Sequence, residues 1–262
     1  MSAIILDEAI VHYEALGRGR PIVFLHGWVG SWRYWIASMQ VASTSFRAYA
    51  LDLFGYGDTT HDPSRYSLEK QAALLTGFLD EMGIGKIAVV GHGLGALVGF
   101  YFAAQQPGSV DRILAVNCPL DFNSVNARLK TATAAELVDW LSSRTPEAAT
   151  ALSDASKSDP RAVAASMSSF QADSLFQQFR AADVPCLLVY GQNDQSILVP
   201  PIENAGSLAH HMHQINLEDS GHFPMIDETA KFNRLLTDFL ALDSGISPRE
   251  LQLTEEWKRR VR

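Results

Sequence analysis

Two side chains far apart in the chain, Asp194 and His222, are of the types that move protons. Each lies in a polar turn directly after an apolar run: Val184 to Tyr190 leads into Gly191-Gln192-Asn193-Asp194, and His213 to Leu217 leads into Glu218-Asp219-Ser220-Gly221-His222-Phe223-Pro224. A carboxylate fixes the tautomer of an imidazole and stabilises its charged form, and an imidazole so held can take a proton from a weak nucleophile. A place for that nucleophile exists in Lys86 to Phe100, KIAVVGHGLGALVGF, where an apolar run breaks into Gly91-His92-Gly93-Leu94-Gly95 before small and apolar residues continue at helical spacing. Strand, tight turn and helix in this order make a G-x-S-x-G elbow, whose flanking glycines let strand and helix approach and whose middle residue attacks. Here the middle residue is Gly93, which has no side chain to attack with. Ser220, on the same turn as His222, and Cys118, after a neighbouring strand but on no elbow, are poor substitutes.

The same letters, extended to Ala96, also satisfy G-x-G-x-x-G/A, in which glycines seat a pyrophosphate on a helix N-terminus. That fingerprint normally opens its domain, whereas this one follows several strands. No acidic residue closes the next run, Val110 to Val116, which ends in Asn117 and Cys118. The dinucleotide reading is therefore the weaker one.

The elements that must position these residues alternate. Ile4–Leu6 and Ala9–Leu16 read as a strand pair closed by Gly17 and Gly19, and Pro21–Leu25 as a strand buried on both faces that ends in His26-Gly27-Trp28. A helix over Trp32–Met39 capped by Ser31, a strand over Phe46–Leu51 and a helix from Ser67 to a stop at Gly83 precede the elbow. From Pro119 to about Ala182 the composition turns to Ala, Ser, Thr, Asp and Lys, with helical stretches near 134–141, 146–155, 160–167 and 174–179 and no strand pattern. After the acid turn, a helix over about 200–210, the last strand, a long amphipathic helix over Met225–Leu242 and a charged tail to Arg262 complete the chain.

A chain of 262 residues with 47% hydrophobic content can bury a full core, and its net charge of −8 argues against nucleic acid or an anionic membrane as partner. A small neutral substrate fits better. The two cysteines, Cys118 and Cys186, sit in or after apolar runs and read as buried thiols. The start MSAIILDEAIVHY lacks the basic and apolar regions of a signal peptide, and no segment approaches eighteen apolar residues, so the expected location is cytoplasmic.

Taken together, His26-Gly27-Trp28, the loop D-L-F-G-Y-G-D from Asp52, the elbow, G-Q-N-D and S-G-H-F-P resemble, in order, the motifs of the α/β-hydrolase superfamily. The likeness covers nearly the whole chain and is greatest to small capped esterases and haloperoxidase-type hydrolases. It implies an α/β fold with a mostly parallel sheet of about eight strands, helices on both faces and a helical cap. The core would comprise residues 1–118 and 183–262 and the cap 119–182. The resemblance further implies that Asp194 and His222 are the acid and base, that Gly93 is a vacated nucleophile position, and that the backbone N–H groups of Trp28 and Leu94 form an oxyanion hole. Gly27, Trp28 and His92 would line the substrate pocket. The expected activity is carboxylic-ester hydrolysis, absent or weak without the serine. The alternatives are a non-covalent lyase or cofactor-free oxygenase on the same scaffold and a catalytically dead ligand-binding module. No cofactor and no metal are implied, and the assembly expected is a monomer or homodimer.

Overall fold

The computed structural model describes residues 2–168, 172–201 and 208–251. Its centre is an eight-stranded sheet of β1 (Ser2–Leu6), β2 (Ala9–Gly17), β3 (Arg20–Leu25), β4 (Phe46–Leu51), β5 (Ile87–His92), β6 (Val110–Val116), β7 (Cys186–Gly191) and β8 (Met212–Leu217), in the order β1-β2-β4-β3-β5-β6-β7-β8. Only the β1–β2 and β2–β4 pairings are antiparallel. The runs in β5 and β7 are buried at every position, as strands covered on both faces must be, whereas edge strand β1 alternates between exposed and half-buried residues. This is the α/β architecture that the resemblance implied.

Helices α1 (Ile36–Ala42), α2 (Leu68–Glu81) and α3 (Leu94–Gln105) belong to the first half of the sheet. Ser67 caps α2 by accepting from Lys70 N, and Gly83 follows at φ 65°. The helix expected at Trp32–Met39 is instead a 3₁₀ turn, Trp32–Trp35, running into α1. Ser31 Oγ accepts from Arg33 N, and Ile36 N donates to Arg33 O only three residues back, the tighter spacing of a 3₁₀ turn.

Between β6 and β7 lie α4 (Arg128–Thr131), α5 (Ala134–Leu141), α6 (Pro146–Ala151), α7 (Pro160–Ser168) and α8 (Ala172–Ala181). Among the described residues this segment adds no strand, only a single bridge from Val125 to Ile197. It is tied to the loops that follow the strands: Tyr66 Oη donates to Asp159 Oδ2 at 2.8 Å, Arg33 pairs with Asp154 at 2.8 Å, and Lys157 pairs with Asp58 at 2.8 Å.

After β8, the long helix expected over Met225–Leu242 is two, α9 (Pro224–Asp227) and α10 (Thr229–Ala241). Glu228 leaves the helical region at φ −125° and ψ 51°, while its carboxylate holds Ser220 Oγ and Lys231 Nζ, both at 2.7 Å. Most of the helix expected at 200–210 and the end of the charged tail fall outside the described residues. No helix among the described residues is long and apolar enough to cross a membrane.

Candidate active site

In a parallel sheet the residues that follow each strand gather along one edge, where a chain that crosses from one side of a strand to the other leaves a crevice. Here β3 lies between β4 and β5, with Leu25 paired to Gly91, so the turns after β3 and β5 are neighbours. Gly93 joins β5 to α3 at φ 48° and ψ −108°, a conformation that strains any residue with a side chain and that glycine adopts without that cost. Its N–H donates to Val116 O at 2.9 Å and its carbonyl accepts from Leu97 N at 3.2 Å, anchoring the turn to β6 and to α3. A Cβ on Gly91 would lie 2.5 Å from Ala96 N, and one on Gly95 would collide with the Leu25 carbonyl. Close packing of α3 on the sheet thus accounts for both flanking glycines.

His222 and Asp194 meet across the turns after β8 and β7. His222 Nδ1 lies 2.8 Å from Asp194 Oδ2, and neither side chain is exposed to solvent. Asp194 Oδ1 accepts from Ser196 N and Ser196 Oγ, both at 2.7 Å, and the same hydroxyl lies 2.8 Å from His222 Nδ1. Burial by itself would raise the Asp194 carboxyl, but the His222 imidazole and the Ser196 donors outweigh it and hold the acid below its usual range. His222 Nε2 is buried with no hydrogen-bond partner among the described residues. An imidazole held at Nδ1 with Nε2 free is poised to accept a proton at Nε2.

Sequence reasoning missed the residue that locks the two turns together. Asn117, just past β6 at φ 41°, donates from Nδ2 to Gly221 O at 3.1 Å and to His222 O at 3.0 Å, and its Oδ1 accepts from Gly191 N at 2.8 Å. The available signal was an amide side chain directly after a buried strand, next door to the elbow strand.

The other expected residues form a contiguous wall. A Cβ on Gly93 would sit 3.1 Å from two ring carbons of Trp28 and 3.7 Å from Gly27 Cα. Trp28 is buried, and its Nε1 donates to Ser166 Oγ of α7 at 2.9 Å. Leu94 opens α3, so its N–H has no acceptor one turn earlier in the helix. His92 is fully buried, with Nδ1 2.9 Å from Tyr34 Oη and its ring centroid 4.5 Å from that of His222. Burial, reinforced by the neighbouring His222, pushes its imidazole well below the usual range and keeps it neutral. Tyr34 Oη also accepts from Gly27 N at 2.6 Å, a second link absent from the motif reading. Ser220 Oγ is occupied by Glu228, and burial pushes the Cys118 thiol well above its usual range, so neither offers a ready nucleophile. A cavity of about 600 Å³ has His222 and Gly221 in its wall, with Trp140, Glu147 and Gln195 among the other lining residues. The residues expected to line the pocket, Gly27, Trp28 and His92, and Gly93 itself, do not line this cavity, because they are buried and packed against one another.

Residues 22–235 match the family model described as the Alpha/beta hydrolase family. The chain belongs to the alpha/beta hydrolase family. Epoxide hydrolase 3 of Siraitia grosvenorii is 38% identical over 116 residues, 43% of this chain and 36% of that protein. The chain thus spans about a third of the length of the curated epoxide hydrolases it matches. Among solved structures, the enol-lactonase from Burkholderia xenovorans LB400 superposes with a TM-score of 0.78 at 19% identity, covering 92% of this chain and all (100%) of that one. A thermophilic esterase from Thermogutta terrifontis gives a TM-score of 0.74 at 20% identity, covering 88% and 93%. At these identities the structural likeness speaks for the fold alone.

Proposed function

We propose that this alpha/beta hydrolase carries the site of a carboxylic-ester hydrolase whose nucleophile position is vacant. Asp194 and His222 act as acid and base, the N–H groups of Trp28 and Leu94 are the oxyanion donors, and Gly27, Trp28 and His92 wall the elbow at Gly93. Residues 119–182 serve as the cap over the core of 1–118 and 183–262. The observation that carries the reading is His222: one ring nitrogen is held by a buried carboxylate and the other is buried without a partner, beside an elbow that keeps its strained backbone. A small neutral ester is the substrate class, in keeping with the negative net charge and with an esterase and a lactonase among the structural relatives.

As it stands, the chain lacks an attacking atom, so its ester turnover is absent or weak. An oxyanion hole and binding alone sustain on the order of 10³- to 10⁴-fold over water in enzymes stripped of their triad. The unpartnered Nε2 supports a second reading, in which His222 takes a proton directly from substrate or from a water, without a covalent intermediate.

Gly93→Ser tests the first reading. It should raise turnover of short-chain aryl esters by at least about 10²-fold, and His222→Ala in that background should abolish the gain. The new Cβ requires the Trp28 ring to give by a few tenths of an ångström, and the elbow conformation costs a serine roughly 1–3 kcal/mol. A folded Gly93→Ser protein with no gain across a broad ester panel would overturn the vacant-nucleophile reading and leave direct base chemistry or ligand binding.

A further inference from the structure

At the ends of β7 and β8 remote from this site, Asp183 precedes β7 while His210 and His211 precede β8. We propose that Asp183, His210 and His211 bind one divalent transition-metal ion of the zinc class, which clamps the chain leaving α8 to the turn before β8. Asp183 Oδ1 lies 2.8 Å from His211 Nδ1 and 3.5 Å from His210 Nε2, and the three donor atoms all fall within 4.8 Å of one another. A metal with bonds of about 2.0–2.2 Å sets its ligand atoms roughly 2.8–3.5 Å apart, from octahedral to tetrahedral angles.

The decisive feature is His211. Its side chain is buried, only 5% exposed as a residue, yet neither ring nitrogen makes a well-directed hydrogen bond to a described residue, although Nδ1 is within 2.8 Å of a carboxylate oxygen. The two atoms are at ion-pair distance without the geometry of a directed hydrogen bond, which leaves room for a shared cation. Buried nitrogens left without partners cost stability, and a cation would satisfy one of them. Asp183 holds φ 55°, unusual for a residue with a side chain, and in that conformation presents its carboxylate to both rings. Arg180, at the end of α8, acts on His211 with the opposite sign to Asp183 and limits the affinity. Three protein ligands leave further positions to water, and the site lies at the strand ends opposite those that carry His222. The inference does not rest on the proposed ester chemistry.

The test uses tag-free full-length protein stripped with chelator and titrated with Zn²⁺ by calorimetry, with Co²⁺ absorption as a second readout. One site per chain tighter than about 100 µM is expected, with Tm raised by roughly 2–4 °C at saturation. His210→Ala removes a side chain that is 81% exposed and leaves the core untouched. It should weaken binding at least tenfold, as should Asp183→Asn, while the exposed His61→Ala should leave it unchanged. Binding weaker than about 100 µM in the parent protein, or undiminished in His210→Ala, overturns the proposal.

Discussion

Two histidine–aspartate pairs in this molecule share a 2.8 Å spacing and buried side chains, His222 with Asp194 and His12 with Asp52, yet their surroundings differ. Asp52 accepts from Trp32 N at 2.8 Å and from Asp58 N at 3.1 Å as well as pairing with His12, so its carboxylate organises the loop after β4. The other nitrogen of His12, like that of His222, makes no directed hydrogen bond to a described residue, but it lies 3.4 Å from Glu14 Oε1. Burial lowers the His12 pKa, but Asp52 and Glu14 together outweigh it and raise it. His12 is thus a ring set between two acids, and His222 a ring with one acid on one side and no charged neighbour among the described residues on the other. The distance to a carboxylate is the same in both pairs; what differs is the charge that the second nitrogen faces, a carboxylate for His12 and none among the described residues for His222.

The contrast breaks first on activity. In the Gly93→Ser background, His222→Ala should lose the whole gain of about 10²-fold or more, whereas His12→Asn should stay within about threefold. Comparable losses from both, in ester turnover per folded molecule, would erase the distinction. On stability the ranking reverses in favour of the Asp52 network. Asp52→Ala strands His12 and the Trp32 and Asp58 amides, and should cost about 3–5 kcal/mol of unfolding free energy, read from a lowered urea midpoint at unchanged slope.

A pH series sharpens the comparison through signs. His12 has a raised folded pKa, so its contribution is fully present below about 6.5, the unfolded value, and is lost as pH rises through the folded value. His92 has a depressed folded pKa, so the unfolded chain binds its proton first and stability falls as pH drops below about 6.5. The Tm difference between variant and parent should therefore have opposite slopes between about pH 5 and 8. His12→Asn is most harmful at the acid end, and His92→Asn least harmful there. Parallel slopes would refute the assignment. The smallest effect tests the wall over Gly93: Ser166→Ala removes the hydrogen bond that pins Trp28 and, with Gly93→Ser, should raise turnover about two- to fivefold by letting the indole move. A further loss of turnover would mean that the pinned indole is needed.

The parts of this architecture legible in the sequence were those with a local cause. Continuous apolar runs marked strands buried on both faces, Ser67 marked the start of α2, and the five turn motifs fixed where strands end. The parts that were not legible involve partners distant along the chain. Asn117 joins turns at Gly191 and Gly221 that lie about 75 to 105 positions further on, and Tyr34 reaches His92 across 58. The break at Glu228 also escaped, because the apolar spacing of Met225–Leu242 continues through it while its carboxylate is recruited by Ser220 and Lys231.

By itself the sequence determined the order of the strands and turns, the glycines that let α3 pack against β5 and β3, and the absence of a side chain at position 93. Periodicity and turn chemistry act within a few residues, so these features survive without knowledge of any distant contact. Only the tertiary structure decided that His222 keeps a free buried nitrogen while His12 faces Glu14, that Trp28 covers Gly93 from a tether on α7, and that Asp183 stands against His210 and His211. Which polar atom a buried ring meets depends on how whole layers pack, and no pattern along the chain encodes it.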